Sequence, residues 1–145
     1  MRNFWSIIIT LFILASCSES DPYSLAVFTL NNPIQIRVDR PFGVKVSAND
    51  TITTNILSIN DSRCPGDVVC IRAGEYSTDL ELILSPDTAY VYLCNGDCNN
   101  SKLDSARFTL RNSDYWIRLD DLTPYPLTSN PNPEYTLHFT IFEAD

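Results

Sequence analysis

Cysteine is the residue type of this sequence that points most directly to covalent chemistry, and the first of its five cysteines stands apart from the others. Cys17 follows Leu14-Ala15-Ser16, the end of an apolar run that begins at Phe4, and Arg2 supplies a positive start. This order is typical of the signal of an exported bacterial lipoprotein. We therefore expect residues 1–16 to be removed and Cys17 to carry the lipid that anchors the protein.

Two other interpretations of this segment are an ordinary secretory signal and a transmembrane anchor. The apolar run is shorter than the roughly 20 residues that span a bilayer, and no basic cluster follows it. Ser18 directly after Cys17 favours the outer membrane, and Glu19 with Asp21 faintly favours the cell surface. The prediction is a lipid-anchored outer-membrane protein, on the periplasmic face or on the cell surface.

The four remaining cysteines predict disulfide bonds. Four cysteines allow three connectivities, and the pairs Cys64–Cys70 and Cys94–Cys98 are the simplest because each closes a short, turn-rich loop. An oxidising envelope compartment favours disulfides, and closing so short a loop contributes only about 2 kcal/mol. Their expected role is therefore to shape loops. A zinc site is the alternative, but the spacings are not paired C-x2-C and no histidine lies near.

The first pair lies in the most distinctive segment of the chain. Asp61 and Arg63 precede Cys64, and Arg72 follows Cys70. In one interpretation Asp61 and Arg63 pair with each other or bond to loop backbone, while the disulfide seals the end of a sheet. In the other, the loop presents Arg63 or Arg72 to a partner, since a stiffened loop loses less entropy on binding. A protease inhibitor would be a special case of this second interpretation.

The residues from Asp61 to Pro65, followed by Cys70 and by Ala73-Gly74, form a signature ahead of a predicted strand. It resembles the Asp-Ser-Arg-Cys-Pro…Cys-x-x-Ala-Gly motif of small, uncharacterised envelope lipoproteins of Bacteroidota and related bacteria. The resemblance extends to a Leu-Thr-Pro-Tyr-Pro stretch, matched by Leu122 to Pro126. Members of that group often carry tryptophan where this chain has Arg72. The resemblance implies a β-sandwich lipoprotein and carries no activity over to this chain.

A weak calcium candidate follows the third cysteine. Asp97, Asn99 and Ser101 have the i, i+2, i+4 spacing of oxygen ligands in calcium loops. The glycine and the terminal glutamate of an EF-hand are missing downstream, and two cysteines lie in the segment. A polar turn in which these side chains bond to the backbone is the favoured alternative. We therefore expect neither a metal nor another cofactor.

Trp116 is a candidate for stacking on a sugar ring. Alternation along the predicted strand places Tyr115, Ile117 and Leu119 on one face and Trp116 with Arg118 on the other. If that second face is exposed, Trp116 could form a glycan-binding platform or stack on Arg118. A tryptophan packed in a core or under a loop is the more common arrangement.

Catalytic and nucleic-acid-binding functions have little support in the sequence. The single histidine, His138, lies within a predicted strand, no Gly-x-Ser-x-Gly elbow is present, and the assigned cysteines leave no free thiol. Removing residues 1–16 takes away one basic residue, Arg2, and leaves nine basic against eighteen acidic side chains. Such an acidic surface argues against binding to phosphate backbones or anionic lipid. We expect a protein that is not an enzyme and binds no nucleic acid.

The rest of the sequence predicts an all-β fold. Short alternating segments recur about every ten residues between turn residues, which favours an antiparallel β-sandwich, Ig-like or related, with about 8–9 strands. Residues 17–24 would be a lipidated tether and residues 25–145 a single domain. Hairpins are expected around Ser85-Pro86-Asp87 and Asn112-Ser113-Asp114. The segment Pro124 to Pro133 is expected to cross between the two sheets.

These features together favour a non-enzymatic binding or accessory module of the envelope. The loop of Asp61, Arg63 and Arg72 is its expected contact, and an envelope protein or a glycan its expected partner. A purely structural envelope lipoprotein is the main alternative. A glycan-binding surface module that uses Trp116, or a protease inhibitor that presents the Cys64–Cys70 loop, would be a lesser one.

Overall fold

The computed structural model describes residues 25–98 and 103–144. The predicted signal, the lipidation site Cys17 and the tether lie outside these ranges, as do Asn99 and Ser101 of the calcium candidate. Within the described ranges, no helix is long and apolar enough to cross a membrane.

The described residues form nine strands and no helix, which confirms the all-β prediction. The strand that sequence patterning missed is the first, a short run whose side chains are mostly exposed and do not alternate. The strands are β1 (Ala26–Thr29), β2 (Ile34–Arg37), β3 (Phe42–Lys45), β4 (Thr51–Asp61), β5 (Glu75–Leu84), β6 (Asp87–Gly96), β7 (Ser105–Leu110), β8 (Ser113–Thr123) and β9 (Thr136–Glu143).

The strands build two sheets that pack face to face. One sheet has five strands in the order β1-β3-β4-β5-β6, and the other has four in the order β2-β9-β8-β7. The strand pairs are antiparallel, as predicted, except at one edge, where β1 runs parallel to β3. The chain crosses from β1 to β2 in the opposite sheet before it returns to β3, so β1 and β3 run in the same direction.

The core lies between the sheets and follows from strand alternation. Buried side chains on alternate positions of β2, β8 and β9 face the buried side chains of β3 to β6. Phe42 of β3 and Phe139 of β9 meet across the layers with ring centroids 4.9 Å apart, and both are fully buried. This contact joins the two sheets near the middle of the sandwich.

Both predicted hairpins are present, as β5–β6 and β7–β8. The prediction that the segment from Pro124 to Pro133 crosses between the sheets was wrong. It joins β8 to β9, which are antiparallel neighbours in the four-stranded sheet. Proline removes backbone donors, so this segment does not extend the ladder and instead loops out at one end of the sandwich.

Arg111 links the two sheets at the opposite end of the sandwich. It lies in the β7–β8 turn, and its guanidinium donates to the Ser85 carbonyl in the β5–β6 turn at 2.6 Å. It also contacts the Asp50 carboxylate at 2.6 Å, just before β4. The ends of the sandwich therefore differ. One is held by Arg111, and the other carries the disulfide loops.

Candidate functional site

Asp61 and Arg63 form a buried ion pair where β4 ends. The Asp61 carboxylate accepts the Arg63 backbone N–H at 3.0 Å, a turn that aspartate favours, and this ends the strand. The same turn places the guanidinium on the carboxylate. Nε donates to Oδ1 at 2.8 Å and Nη2 donates to Oδ2 at 2.6 Å. Two parallel bonds make the pair bidentate, the arrangement in which arginine binds carboxylate most strongly.

Three further groups enclose the Arg63 guanidinium. Its Nη1 donates to the Leu122 carbonyl at 2.8 Å, which ties β4 of one sheet to β8 of the other. The rings of Tyr76 and Tyr125 lie 4.8 and 4.6 Å from its central carbon, within range of a cation–π contact. The ion pair with these three contacts, here called the Arg63 clamp, holds the two sheets together at the end that carries the loop.

The clamp decides between the two interpretations of Arg63. The side chains of Asp61 and Arg63 are only 3% and 7% exposed, so neither can reach a partner. The prediction that they form the contact of a binding loop was therefore wrong. The pairing of Asp61 with Arg63, which the alternative interpretation predicts, is present. For the same reason Arg63 is not accessible for insertion into a protease.

Burial and charge shift the pKa values around the clamp. Burial alone would raise the pKa of Asp61, but hydrogen bonds from Arg63 outweigh it and hold that pKa below its ordinary value. Burial, followed by the negative charge of Asp121, raises the pKa of Tyr76 to about 12. Burial, followed by the Asp61 carboxylate, raises the pKa of Tyr135 to about 12. At neutral pH the carboxylate is charged and both phenols keep their protons.

The disulfides pair as predicted, Cys64 with Cys70 and Cys94 with Cys98. Their Cα atoms are 5.9 and 6.1 Å apart, within the usual range. Glu75 lies close to the sulfurs of the second pair. All four sulfurs are consumed by these bonds, so they offer none of the thiolates that the zinc alternative requires.

The neck of the first loop continues the β4–β5 hairpin. The Ser62 backbone N–H donates to the Glu75 carbonyl, and the Cys64 N–H donates to the Ala73 carbonyl, both at 2.8 Å. Gly74 has φ of 76°, and a Cβ at this position would lie 2.1 Å from the Ser62 carbonyl oxygen. Only glycine fits there, which gives the Ala-Gly part of the signature a structural reason.

The proline-rich segment after β8 braces the loop from outside. The Gly66 N–H donates to the Pro126 carbonyl at 2.9 Å. The Asp67 carboxylate accepts the Thr128 N–H at 2.9 Å and also the Thr128 hydroxyl. These bonds hold the pKa of Asp67 below its ordinary value. We call the hydrogen bonds of Gly66 to Pro126 and of Asp67 to Thr128 the brace. The disulfide, the hydrogen bonds of the neck and the brace together hold the loop in place.

The tip of the braced loop exposes apolar side chains. Val69 and Ile71 are fully exposed, and Val68 is partly exposed. Tyr125 and Leu127, also exposed, adjoin the loop at Gly66. We call Val68, Val69, Ile71, Tyr125 and Leu127 the contact surface. None of these five residues was identified from the sequence as a contact. The available signal was the Val-Val-Cys-Ile run, which is apolar although it lies between turn residues and outside any predicted strand.

Arg72 borders the contact surface. Its side chain is 79% exposed, and its Nε lies 3.8 Å from the Asp97 carboxylate in the second disulfide loop. That carboxylate also accepts the Gly74 N–H at 3.3 Å. Arg72, Glu75 and Asp97 line an open depression of about 460 Å³ beside the first disulfide. Of the calcium candidate only Asp97 is described, and it is engaged with protein groups.

Trp116 lies on the outer face of the four-stranded sheet, as the alternation predicted. Its side chain is 36% exposed and faces Arg107 and Phe142 across the neighbouring strands. Arg118 does not stack on it but pairs with Asp120 at 2.5 Å. His138 lies on β9 opposite Asp121, where its Nε2 is 2.7 Å from the Thr123 hydroxyl. A further pair of exposed aromatic residues, Tyr90 and Tyr92 on β6, was not identified from the sequence.

Comparisons of the chain with protein-family models, with curated proteins and with solved structures find no match.

Removing the Arg63 side chain should weaken the fold far more than removing an exposed arginine of the same loop. We expect Arg63→Ala to lower the free energy of unfolding by about 3–5 kcal/mol, because the Asp61 carboxylate would remain buried without its partner. Arg63→Lys should recover only part of this loss, since an ammonium group cannot form two parallel bonds. Urea denaturation with the disulfides intact measures these values.

Arg72→Ala is the matched control, with an expected change within about 0.5 kcal/mol. Equal losses for Arg63→Ala and Arg72→Ala would contradict the clamp.

Stability should be highest between about pH 5 and pH 9 and fall on both sides. Because the pKa of Asp61 is lower in the folded than in the unfolded protein, the charged carboxylate stabilises the fold at pH values above the ordinary pKa of aspartate. This stabilisation is lost as the pH falls through the pKa of Asp61 in the folded protein. The pKa values of Tyr76 and Tyr135, each raised to about 12, contribute stability that is complete below pH 10 and is lost as the pH rises through 12.

Tyr135→Phe removes one of the two tyrosine contributions to the alkaline limb of this profile and leaves that of Tyr76. Phenylalanine keeps the ring of Tyr135 and removes only the hydroxyl whose raised pKa contributes to this limb. The variant should lose less stability than the wild type between pH 9 and pH 11.5. Thermal melts across this range test the prediction, and parallel declines of the two proteins would refute it.

Proposed function

We propose that this protein is a lipid-anchored, non-enzymatic envelope module that binds a partner protein through the contact surface. The observation that carries the proposal is the exposure of Val69 and Ile71 on a loop held from three sides. Exposed apolar side chains on a flexible loop could fold back onto the domain. Here the disulfide and the backbone bonds of the brace keep them in water.

Burial of these side chains would supply the free energy of binding. Burying a valine or isoleucine fully is worth about 1.5–3 kcal/mol each. Both are β-branched and therefore restricted at χ1, so little side-chain entropy is lost on binding. The loop backbone is already ordered, which removes a further cost of association. An apolar centre bordered by the charged pair Arg72–Asp97 also has the usual pattern of a protein interface.

A protein partner fits this surface better than a membrane does. The nine basic and eighteen acidic side chains after residue 16 give the module a negative charge that repels anionic lipid. Asp67 and Asp97 lie within or beside the loop, where insertion would bring their carboxylates to the lipid headgroups. A protein can supply donors for these carboxylates at the rim of the interface.

The proposed anchor limits where that partner can be. Eight residues from Cys17 to position 24, fully extended, reach at most about 29 Å. The domain would therefore remain close to its membrane, and its partner would be another component of the same envelope region. Sequence features alone support this part of the proposal, chiefly the Leu-Ala-Ser-Cys motif and the acidic, disulfide-bonded domain.

Substitution of the proposed lipidation site should release the protein from the membrane. We expect wild-type protein to incorporate labelled palmitate and to sediment with the outer membrane, because two or more acyl chains anchor stably. Cys17→Ser should incorporate no label and appear in the soluble envelope fraction. Ser18→Ala is the matched control and should still be labelled. Labelling of Cys17→Ser would contradict the anchor.

Site-specific photo-crosslinking in cells tests the contact surface. A photoreactive amino acid at Val69 of the full-length protein should yield an adduct with one envelope protein. The same amino acid at Ala48, in the exposed turn before β4, is the control and should not yield that adduct. Introducing Ile71→Asp beside the Val69 probe should abolish the adduct, because a carboxylate cannot be buried in an apolar interface.

Three outcomes would contradict the proposal. The same protein captured from Ala48 would indicate proximity without a specific contact. An adduct with lipid alone would indicate that the loop enters the membrane. No adduct from Val69, with the protein present in the outer membrane, would favour the purely structural alternative.

A further inference from the structure

The outer face of the five-stranded sheet carries an exposed aromatic pair. Along β6 the side chains alternate, with Val91 and Leu93 in the core and Tyr90 and Tyr92 outside. Tyr90 is 70% exposed and Tyr92 is 47% exposed. Two residues two positions apart on a strand are separated by about 7 Å, which is comparable to the length of one pyranose residue in a chain.

Each tyrosine begins a row of polar side chains that crosses the sheet. Tyr90 lies opposite Glu81 on β5, and Glu81 lies opposite Asn55 on β4. In the next row, Tyr92 lies opposite Asp79, and Asp79 lies opposite Ser58. We call these six residues the tyrosine strip. It combines flat apolar rings with carboxylate, amide and hydroxyl groups on one side of the sheet.

Hydrogen bonds fix the polar groups of the tyrosine strip. The Tyr90 hydroxyl donates to one Glu81 carboxylate oxygen at 3.0 Å, and the Asn55 amide donates to the other at 2.8 Å. The Ser58 hydroxyl donates to Asp79 at 2.6 Å. The bond and the negative charge of Glu81 also raise the pKa of Tyr90. The Tyr90 ring is thereby tied to the neighbouring strand before any ligand binds.

The two carboxylates retain acceptor capacity. A carboxylate has about four lone-pair sites, and two of those on Glu81 and one on Asp79 are used within the strip. The remaining sites can accept hydrogen bonds from a ligand rich in hydroxyl donors. A sugar chain offers such donors along its edges and apolar C–H groups on its ring faces, which match the tyrosine rings.

We propose that the tyrosine strip is a binding site for an uncharged polysaccharide, with successive sugar rings stacked on Tyr90 and Tyr92 and hydroxyls bound by Glu81 and Asp79.

Charge defines the class of ligand. The strip contains two carboxylates and no basic side chain, so an anionic polysaccharide would be repelled. Its two exposed rings also distinguish it from the surface around Trp116. There Trp116 lies between Arg107 and the half-buried Phe142, and its own strand carries no second exposed aromatic side chain. We therefore favour the tyrosine strip over Trp116 as the glycan site.

The site is separate from the contact surface. The disulfide loop joins β4 to β5 before Glu75, whereas the strip is centred on Asp79 and Glu81, four to six residues further along β5. At a rise of about 3.4 Å per residue this is roughly 14–20 Å. Glycan binding can therefore be tested independently of the partner protein, and failure of one proposal leaves the other standing.

The test measures retention of the full-length protein, solubilised in detergent, on immobilised polysaccharides. The uncharged probes are cellulose, chitin, xylan, mannan and starch, and alginate is the anionic control. We expect concentration-dependent retention on at least one uncharged polysaccharide and none on alginate. Tyr90→Ala and Tyr92→Ala should each weaken the retained affinity by about tenfold or more, the loss typical of a well-placed aromatic contact.

Four further variants separate stacking, hydrogen bonding and misfolding. Tyr90→Phe keeps the ring and should retain most of the affinity, whereas Glu81→Gln should weaken binding because an amide accepts fewer hydrogen bonds. Thr88→Ala, on the same face of β6, is the matched control and should bind as the wild type does. Trp116→Ala should also bind normally. Urea denaturation of each variant serves as the control for folding, and a midpoint close to that of the wild type is required before a loss of binding is interpreted.

Two results would overturn the proposal. One is the absence of retention on every uncharged polysaccharide by folded wild-type protein. The other is retention that Trp116→Ala abolishes while Tyr90→Ala and Tyr92→Ala leave it unchanged.

Discussion

The ion pair between Asp61 and Arg63 is the interaction on which the loop end of the sandwich depends. Taking two charges out of water is costly, and the pair recovers that cost only through good geometry and additional partners. Here two parallel hydrogen bonds, the Leu122 carbonyl and two tyrosine rings supply them. One arginine therefore connects both sheets, and the loop that follows it leaves the sandwich in a fixed direction.

Because the loop is held in place, the apolar side chains at its tip stay exposed to solvent. The Cys64–Cys70 bond contributes little to global stability because the ring it closes is small. Its effect is local, since with the hydrogen bonds to Pro126 and Thr128 it prevents the tip from collapsing onto the domain. Val69 and Ile71 remain in water at a cost to the free protein, and the proposed partner would recover that cost by covering them.

Much of the fold could be predicted because alternation and turn residues report directly on strands. The pairing of the cysteines followed from loop length in the same way. The role of Arg63 could not be predicted, since a charged residue in a loop is usually exposed and only the fold brings Leu122 and Tyr125 around it. The path of the segment from Pro124 to Pro133 and the pairing of Asn55 with Glu81 depend on which strands become neighbours, which a local pattern does not encode.

Amide hydrogen exchange of the free protein tests most directly whether the loop is ordered in the absence of a partner. The amides of Cys64, Gly66 and Thr128 donate to Ala73, Pro126 and Asp67. If the clamp and brace hold, these amides should exchange slowly, with opening free energies approaching those of the β5 amides. Exchange at the rate of an unstructured peptide, while β5 stays protected, would contradict an ordered loop.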